Sequence, residues 1–130
     1  MKKCVNGVLK IVDNMTDKNI LKTLENPVET NYLIKHVETE FTFLGVPNQP
    51  DYGKKIEISF IPHKLLIELK SLKLYFQQFR NHVYSYEHLI NIIFDDIHDI
   101  LKPRYLEVVM ETNTRGGIYS ILKVNSKHRS

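Results

Sequence analysis

Between residues 35 and 44 apolar and polar positions alternate. Val37, Thr39, Phe41 and Phe43 fall on one side, and His36, Glu38, Glu40 and Thr42 on the other. A period of two is strand geometry, because successive side chains leave a strand on opposite faces. The alternation returns over 54–61, with Ile56, Ile58 and Phe60 inward and Glu57 and Ser59 outward. Between these runs, residues 45–53 hold Gly45, Pro47, Pro50 and Gly53 and read as a loop. Pro62 and His63 break the second strand.

The period then changes. Leu65, Leu69, Leu72, Phe76 and Phe79 recur every three or four residues and predict one apolar stripe on a helix over 68–80. Lys70, Lys73, Gln77 and Arg80 line a second face at the same spacing. Residues 81–84 connect to Ser85, an N-cap residue type, and a second helix over 86–101. Its buried stripe is Leu89, Ile90, Ile93, Ile97 and Ile100; Asp95, Asp96 and Asp99 lie on its solvated face, and Pro103 ends it. Two strands follow. Leu106, Val108 and Met110 alternate with Glu107, Val109 and Glu111; residues 113–117 turn, and Ile118, Ser120, Leu122 and Val124 pattern the last strand. Residues 125–130 form a polar tail. In 1–30, Ile20, Leu21 and Leu24 make a short amphipathic turn after Thr16 or Asp17, which Pro27 stops. The order is β-β-α-α-β-β. An α+β fold follows, a four-stranded antiparallel sheet with two helices on one face, which buries both stripes. We expect one domain over 1–130, with 1–30 and 125–130 less ordered.

Composition narrows the classes. At 130 residues the chain holds one core. A net charge of +3 is too slight to predict a nucleic-acid partner. No apolar run approaches the roughly 18 residues of a membrane helix, and the basic start has no apolar segment behind it, so no signal peptide is read. One cysteine, Cys4, excludes an internal disulfide and fits a reducing cytoplasm. The histidines are scattered, which argues against a zinc site.

Residues 68–75 carry a sharper signal. Glu68-Leu69-Lys70-Ser71-Leu72-Lys73-Leu74-Tyr75 resembles the signature of the QueF family, the NADPH-dependent 7-cyano-7-deazaguanine reductases of queuosine synthesis. The resemblance extends from Asn31-Tyr32 through 45–51 and Phe79-Arg80-Asn81-His82 to Pro103-Arg104-Tyr105 and Arg115-Gly116-Gly117-Ile118. It implies a tunnelling fold, in which open sheet edges pair with neighbouring subunits into a β-barrel homo-oligomer with interface active sites.

The resemblance also implies roles. Glu87 stands where the family anchors the base. A carboxylate accepts from both N1–H and the 2-amino group of a 7-deazaguanine, and such charge-assisted bonds are strong; the plain alternative is a first-turn acid favoured by the helix dipole. Tyr86 replaces the family's usual His before this Glu; it can stack or hydrogen-bond but does not shuttle protons near neutral pH. Asp51, in Gln49-Pro50-Asp51, matches the family's general acid, against the alternative of a turn residue. Glu68, Ser71 and Leu72 are further substrate-binding candidates from the helix motif. Lys70, Lys73 and Arg115 match residues that hold the phosphates of NADPH; a nucleotide phosphate or plain surface charge are the alternatives.

One element is missing. The reductases carry a nucleophilic cysteine ahead of Gln-Pro-Asp, and here 43–49 is one residue short with Gly45 at that place. Where a covalent step is obligatory, losing the nucleophile costs roughly a million-fold, and Cys4 lies far off in sequence. The expected function is therefore non-reductive. It is decarboxylation of 7-carboxy-7-deazaguanine, free or within a nucleotide, to 7-deazaguanine, without a cofactor. In this the chain resembles cysteine-free QueF-like proteins associated with phage DNA modification. The alternatives are an NADPH-dependent nitrile reductase with an altered mechanism, amidinotransfer as in archaeal QueF-like proteins, and a non-catalytic 7-deazaguanine- or nucleic-acid-binding subunit using Lys70, Lys73, Arg115 and Lys127-His128-Arg129.

Overall fold

The computed structural model describes residues 2–5, 8–11, 16–45, 49–82 and 84–127, of which 2–5, 8–11 and 49–52 are described as backbone. In chain order the strands before the first helix are β1 (Lys2–Val5), β2 (Val8–Ile11), β3 (Thr23–Glu25), β4 (Ile34–Glu38), β5 (Thr42–Gly45), β6 (Gln49–Tyr52), β7 (Lys55–Ile61) and β8 (Leu65–Ile67). Then come α1 (Leu69–Gln77), α2 (Tyr86–Leu101), β9 (Tyr105–Glu111) and β10 (Ile121–Asn125), with 3₁₀ turns at Lys18–Ile20 and Gln78–Asn81. The main sheet is antiparallel throughout, in the order β10-β9-β7-β4. With α1 and α2 between β7 and β9, sheet and helices run β-β-α-α-β-β, as the hydrophobic pattern predicts.

The alternating residues of β7 and β9 explain why this sheet forms. Ile56, Ile58, Phe60, Leu106, Val108 and Met110 are all buried, and they share one core with Leu72, Phe76 and Phe79 and with the α2 stripe. A fully buried side chain of this size contributes about 1.5–3 kcal/mol relative to leaving it in water. The α2 boundaries match the pattern: Ser85 accepts from the His88 amide at 3.2 Å, and Lys102 closes the helix in the left-handed region at φ 48°.

Several expectations need correction. The run 35–44 is two strands, because the chain bends at Thr39–Glu40, where Glu38 Oε1 accepts the Glu40 amide at 2.8 Å. The bend reverses the facing. Val37 is 48% exposed, whereas Phe41 and Phe43 are buried. His36 instead faces inward, opposite Ile58, with its ring 5.9 Å from Phe60, and burial pushes its pKa down. The stripe of α1 is also rotated. Leu65 belongs to β8, Leu69 is 60% exposed, and Tyr75 is buried in its stead. On α2, Phe94 and Leu101 are buried while Ile100 is partly covered. The last strand begins at Ile121 rather than Ile118, which is 72% exposed beside a turn closed by the Arg115 and Ile118 main chains. Gly116 and Gly117 have φ of 57° and 81°, a region that L side chains adopt at a cost.

Asp96 does not lie on a freely solvated face. The buried Tyr75 hydroxyl donates to its Oδ2 at 2.6 Å, joining α1 to α2. Burial raises the Asp96 pKa, while the Tyr75 bond and Lys18 pull the other way. Tyr75→Phe is expected to cost about 1–2 kcal/mol in urea unfolding. With the folded pKa above the unfolded one, folding favours the protonated form. That contribution is complete below about pH 4 and is lost as pH rises through the folded pKa. Asp96→Asn is therefore expected to gain stability relative to wild type between about pH 4 and pH 7; a difference constant across that range would refute this.

Residues preceding the sheet pack on the start of α1. Leu21 is buried, β3 pairs with β8, and the Glu68 amide donates to the Lys22 carbonyl at 3.0 Å. At the other end, Asn125 closes β10, and the Leu106 amide donates to Ser126 Oγ at 2.9 Å. None of the described helices is long and apolar enough to cross a membrane.

Candidate functional site

The short hairpin of β5 and β6 carries two predicted site residues. Gly45 ends β5 opposite Gln49, and Asp51 on β6 stands opposite Phe43. Residues 49–52, expected to be loop, are thus a strand, whose pairing with β5 sets the register of Asp51. The Asp51 side chain and residues 46–48 lie outside the described residues. Cys4 is on β1, opposite Leu9; its side chain also lies outside them.

Two main-chain bonds tie this hairpin to the connector before α2. The Leu44 amide donates to the His82 carbonyl at 3.1 Å, and the Tyr84 amide donates to the Leu44 carbonyl at 2.9 Å. Rings lock the same junction. Phe43 meets Tyr86 edge-on at 5.6 Å, Phe41 packs against Phe43, Phe76 and Phe79, and Phe79 meets Tyr84 at 5.6 Å. Such edge-to-face pairs add about 0.5–1.5 kcal/mol each beyond their area. Phe43 therefore links both halves of the site: Asp51 is its cross-strand partner and Tyr86 its ring neighbour. Glu87, the next residue, is in the exposed first turn of α2, with its carbonyl accepting from Asn91 Nδ2 at 2.7 Å.

The helix-motif residues have structural roles at the start of α1. Glu68 is the N-cap of α1, and its carboxylate accepts the Ser71 amide at 2.9 Å. Ser71 is buried; its hydroxyl accepts the Lys22 amide at 2.9 Å and donates to the Glu68 carbonyl at 2.7 Å. Leu72 is a core side chain. Each of the three thus has a capping or packing role, and Ser71→Ala is expected to cost about 1–3 kcal/mol by stripping the Lys22 amide of its acceptor. A urea midpoint equal to wild type would contradict this.

Lys70 and Lys73 are exposed on α1, and Arg115 is exposed in the Gly116-Gly117 turn. Lys73 and Arg80 line one groove with Glu38 and Glu40. Arg80 and Glu40 also line a neighbouring cleft of about 400 Å³ that reaches Lys54 and Asn113. The two share Glu40, Phe41, Thr42 and Arg80 among their lining residues, and the cations there suit a phosphate. A separate cavity of about 500 Å³ surrounds Lys18, Asp96 and Asp99. At 1.5 Å per residue it sits about 13 Å down α2 from Glu87, so we do not assign it to this site.

Sequence reasoning missed His82, Tyr84 and Phe41 as the residues that hold β5 on the start of α2. Phe41 and Phe43 were legible as buried alternates, but the bend that turns them away from the main sheet was not. Burial pushes the His82 pKa down, and its Nδ1 is closed from solvent with no hydrogen-bond partner among the described residues.

The chain is similar to known proteins in fold and in sequence. The crystal structure of the archaeosine synthase QueF-Like in the apo form superposes with a TM-score of 0.64 over 76% of this chain and 95% of that one, at 13% sequence identity. That likeness identifies the fold as the tunnelling fold. An NADPH-dependent 7-cyano-7-deazaguanine reductase of Aquifex aeolicus is 41% identical over 112 residues, 85% of this chain and 86% of its own length. The proteins of that name from Pelodictyon phaeoclathratiforme and Streptococcus mutans are 42% and 43% identical, over 83% and 86% of this chain and 94% and 73% of their own lengths. The family model described as QueF-like protein matches residues 50–130. With the fold, these relatives and that match in agreement, the chain belongs to the QueF-like family.

Proposed function

We propose that the protein acts on a 7-substituted 7-deazaguanine and that its reaction is the cofactor-free decarboxylation of 7-carboxy-7-deazaguanine, as base or nucleotide, to 7-deazaguanine. The observation that carries this reading is Gly45 at the end of β5, in the same hairpin as Asp51, where the resemblance to the reductases leads one to expect their nucleophile. Relatives named 7-cyano-7-deazaguanine reductases support the substrate class.

A glycine leaves room where a side chain would stand, and a carboxylate at C7 fits that room. Two like charges close together disfavour one another, so Asp51 beside the substrate carboxylate keeps its proton. Asp51 then gives that proton to C7 of the electron-rich pyrrole, and C7 becomes tetrahedral. The bond from C7 to the carboxylate carbon breaks, its electron pair restores the ring's aromaticity, and carbon dioxide leaves. Asp51 regains a proton from water. The apolar ring of Phe43, cross-strand from Asp51, favours a step in which charge disperses. Glu87 holds the base by N1–H and the 2-amino group, with Tyr86 against it. Glu87 is exposed in the single chain, so a neighbouring subunit covers it. The outer strands β4 and β10 suit such pairing.

The test is incubation of purified protein with 7-carboxy-7-deazaguanine and its nucleotide, without cofactor, followed by mass spectrometry. Loss of the mass of carbon dioxide is expected; no loss, beside loss in a positive control, rejects the reading.

A second reading is favoured by the relatives' names and by the groove lined by Lys73 and Arg80: an NADPH-dependent reductase. NADPH supplies hydride. Lys70, Lys73 and Arg115 are the residues that would hold its phosphates, and Asp51 would again deliver the proton. Oxidation of NADPH in the presence of 7-cyano-7-deazaguanine would establish it.

A further inference from the structure

We infer that His82 is an additional substrate-contacting residue, whose Nδ1 hydrogen-bonds the substituent at C7 of the bound base; this rests on the reading that the site takes a 7-substituted 7-deazaguanine. The Nδ1 atom is shut off from solvent, and no described residue offers it a hydrogen bond. A buried polar atom left without a partner is uncommon and costs about 1–3 kcal/mol. Such a cost is tolerable where a ligand completes the bond.

The position suits that role. The His82 amide donates to the Phe79 carbonyl at 3.2 Å, and the His82 carbonyl accepts the Leu44 amide at 3.1 Å. The main chain of His82 is thereby fixed on both sides, against the residue that precedes Gly45. Tyr84, two residues on, is held to Leu44 in turn, so the main chain that carries the imidazole stays beside the hairpin. Burial holds its pKa below the ordinary histidine value. Near neutral pH the ring is therefore uncharged, with one nitrogen donating and the other accepting. A neutral N–H donor binds a carboxylate without neutralising Asp51's reason to stay protonated, as an imidazolium would. The other imidazole of this region, His88, packs its ring on Tyr84 at 5.7 Å.

The experiment compares calorimetric binding of 7-carboxy-7-deazaguanine and unsubstituted 7-deazaguanine to wild type, His82→Ala and His82→Asn. The asparagine amide occupies roughly the place of Nδ1. His82→Ala is expected to weaken the carboxylated base about tenfold or more and to leave the unsubstituted base unchanged, with His82→Asn recovering most of the loss. In ¹⁵N-histidine-labelled wild type, which needs no variant to fold, the His82 Nδ1 resonance is expected to move with the carboxylated base and stay put with the unsubstituted one. Equal losses for both bases, or an unmoved resonance with the carboxylated base bound, overturn the inference. Binding without decarboxylation leaves this inference standing and removes only the reaction; a wild type that binds neither base removes both.

Discussion

Asp51→Asn is expected to lower turnover of 7-carboxy-7-deazaguanine by about 10²–10⁴-fold, the range a positioned general acid supplies, with affinity for the base changed little. Asparagine keeps the size and the β6 position opposite Phe43 but has no acidic proton to deliver. The separation of kcat from binding is what matters. A residue that merely caps a turn would lower stability and leave the rate constant per folded molecule alone. A non-catalytic binding subunit would have no turnover to lose. Single-turnover kinetics beside calorimetric titration of the same preparations distinguish the three outcomes.

Glu87→Gln is the second large effect, and it should appear in affinity. A carboxylate accepts two adjacent donors from the base, and bonds to a charged acceptor are worth about 1.5–3 kcal/mol each. Glutamine retains one acceptor but turns an NH₂ group toward the other donor, so both a bond and a charge are lost. A weakening of roughly a hundredfold follows, for carboxylated and unsubstituted bases alike, because the contact is to the pyrimidine edge they share. Glu87 is exposed in the first turn of α2, where a helix-dipole role predicts a stability change of about 0.3–1 kcal/mol and no change in affinity. Titration with unsubstituted 7-deazaguanine separates these roles.

Much of the fold could be read before any coordinates. The stripes of α2 and of β7 and β9 are simple because each residue packs against the one core, so burial follows the element's own period. The failures share a cause. At Val37 and His36 the period of two was right, but the bend at Thr39–Glu40 set the phase, and no local pattern records it. On α1, Leu69 fits the helical spacing as well as Tyr75 does. Tyr75 is buried because Asp96, on another helix, gives its hydroxyl an acceptor. Candidate site positions could be named in the sequence where a motif marks them, as at Gln49-Pro50-Asp51 and Glu87. His82, Tyr84 and Phe41 act through main-chain bonds and ring contacts between distant segments, and single-sequence periodicity carries no trace of those.

The measurement that bears most directly on the account is a crystal structure of the assembled protein with 7-carboxy-7-deazaguanine bound to an Asp51→Asn variant. The account predicts the Glu87 carboxylate in hydrogen-bonding range of N1–H and the 2-amino group, the residue 51 amide beside C7, and the C7 carboxylate lodged against Gly45. It is contradicted if residue 51 and Glu87 face separate cavities, with no subunit boundary bringing them together around one base.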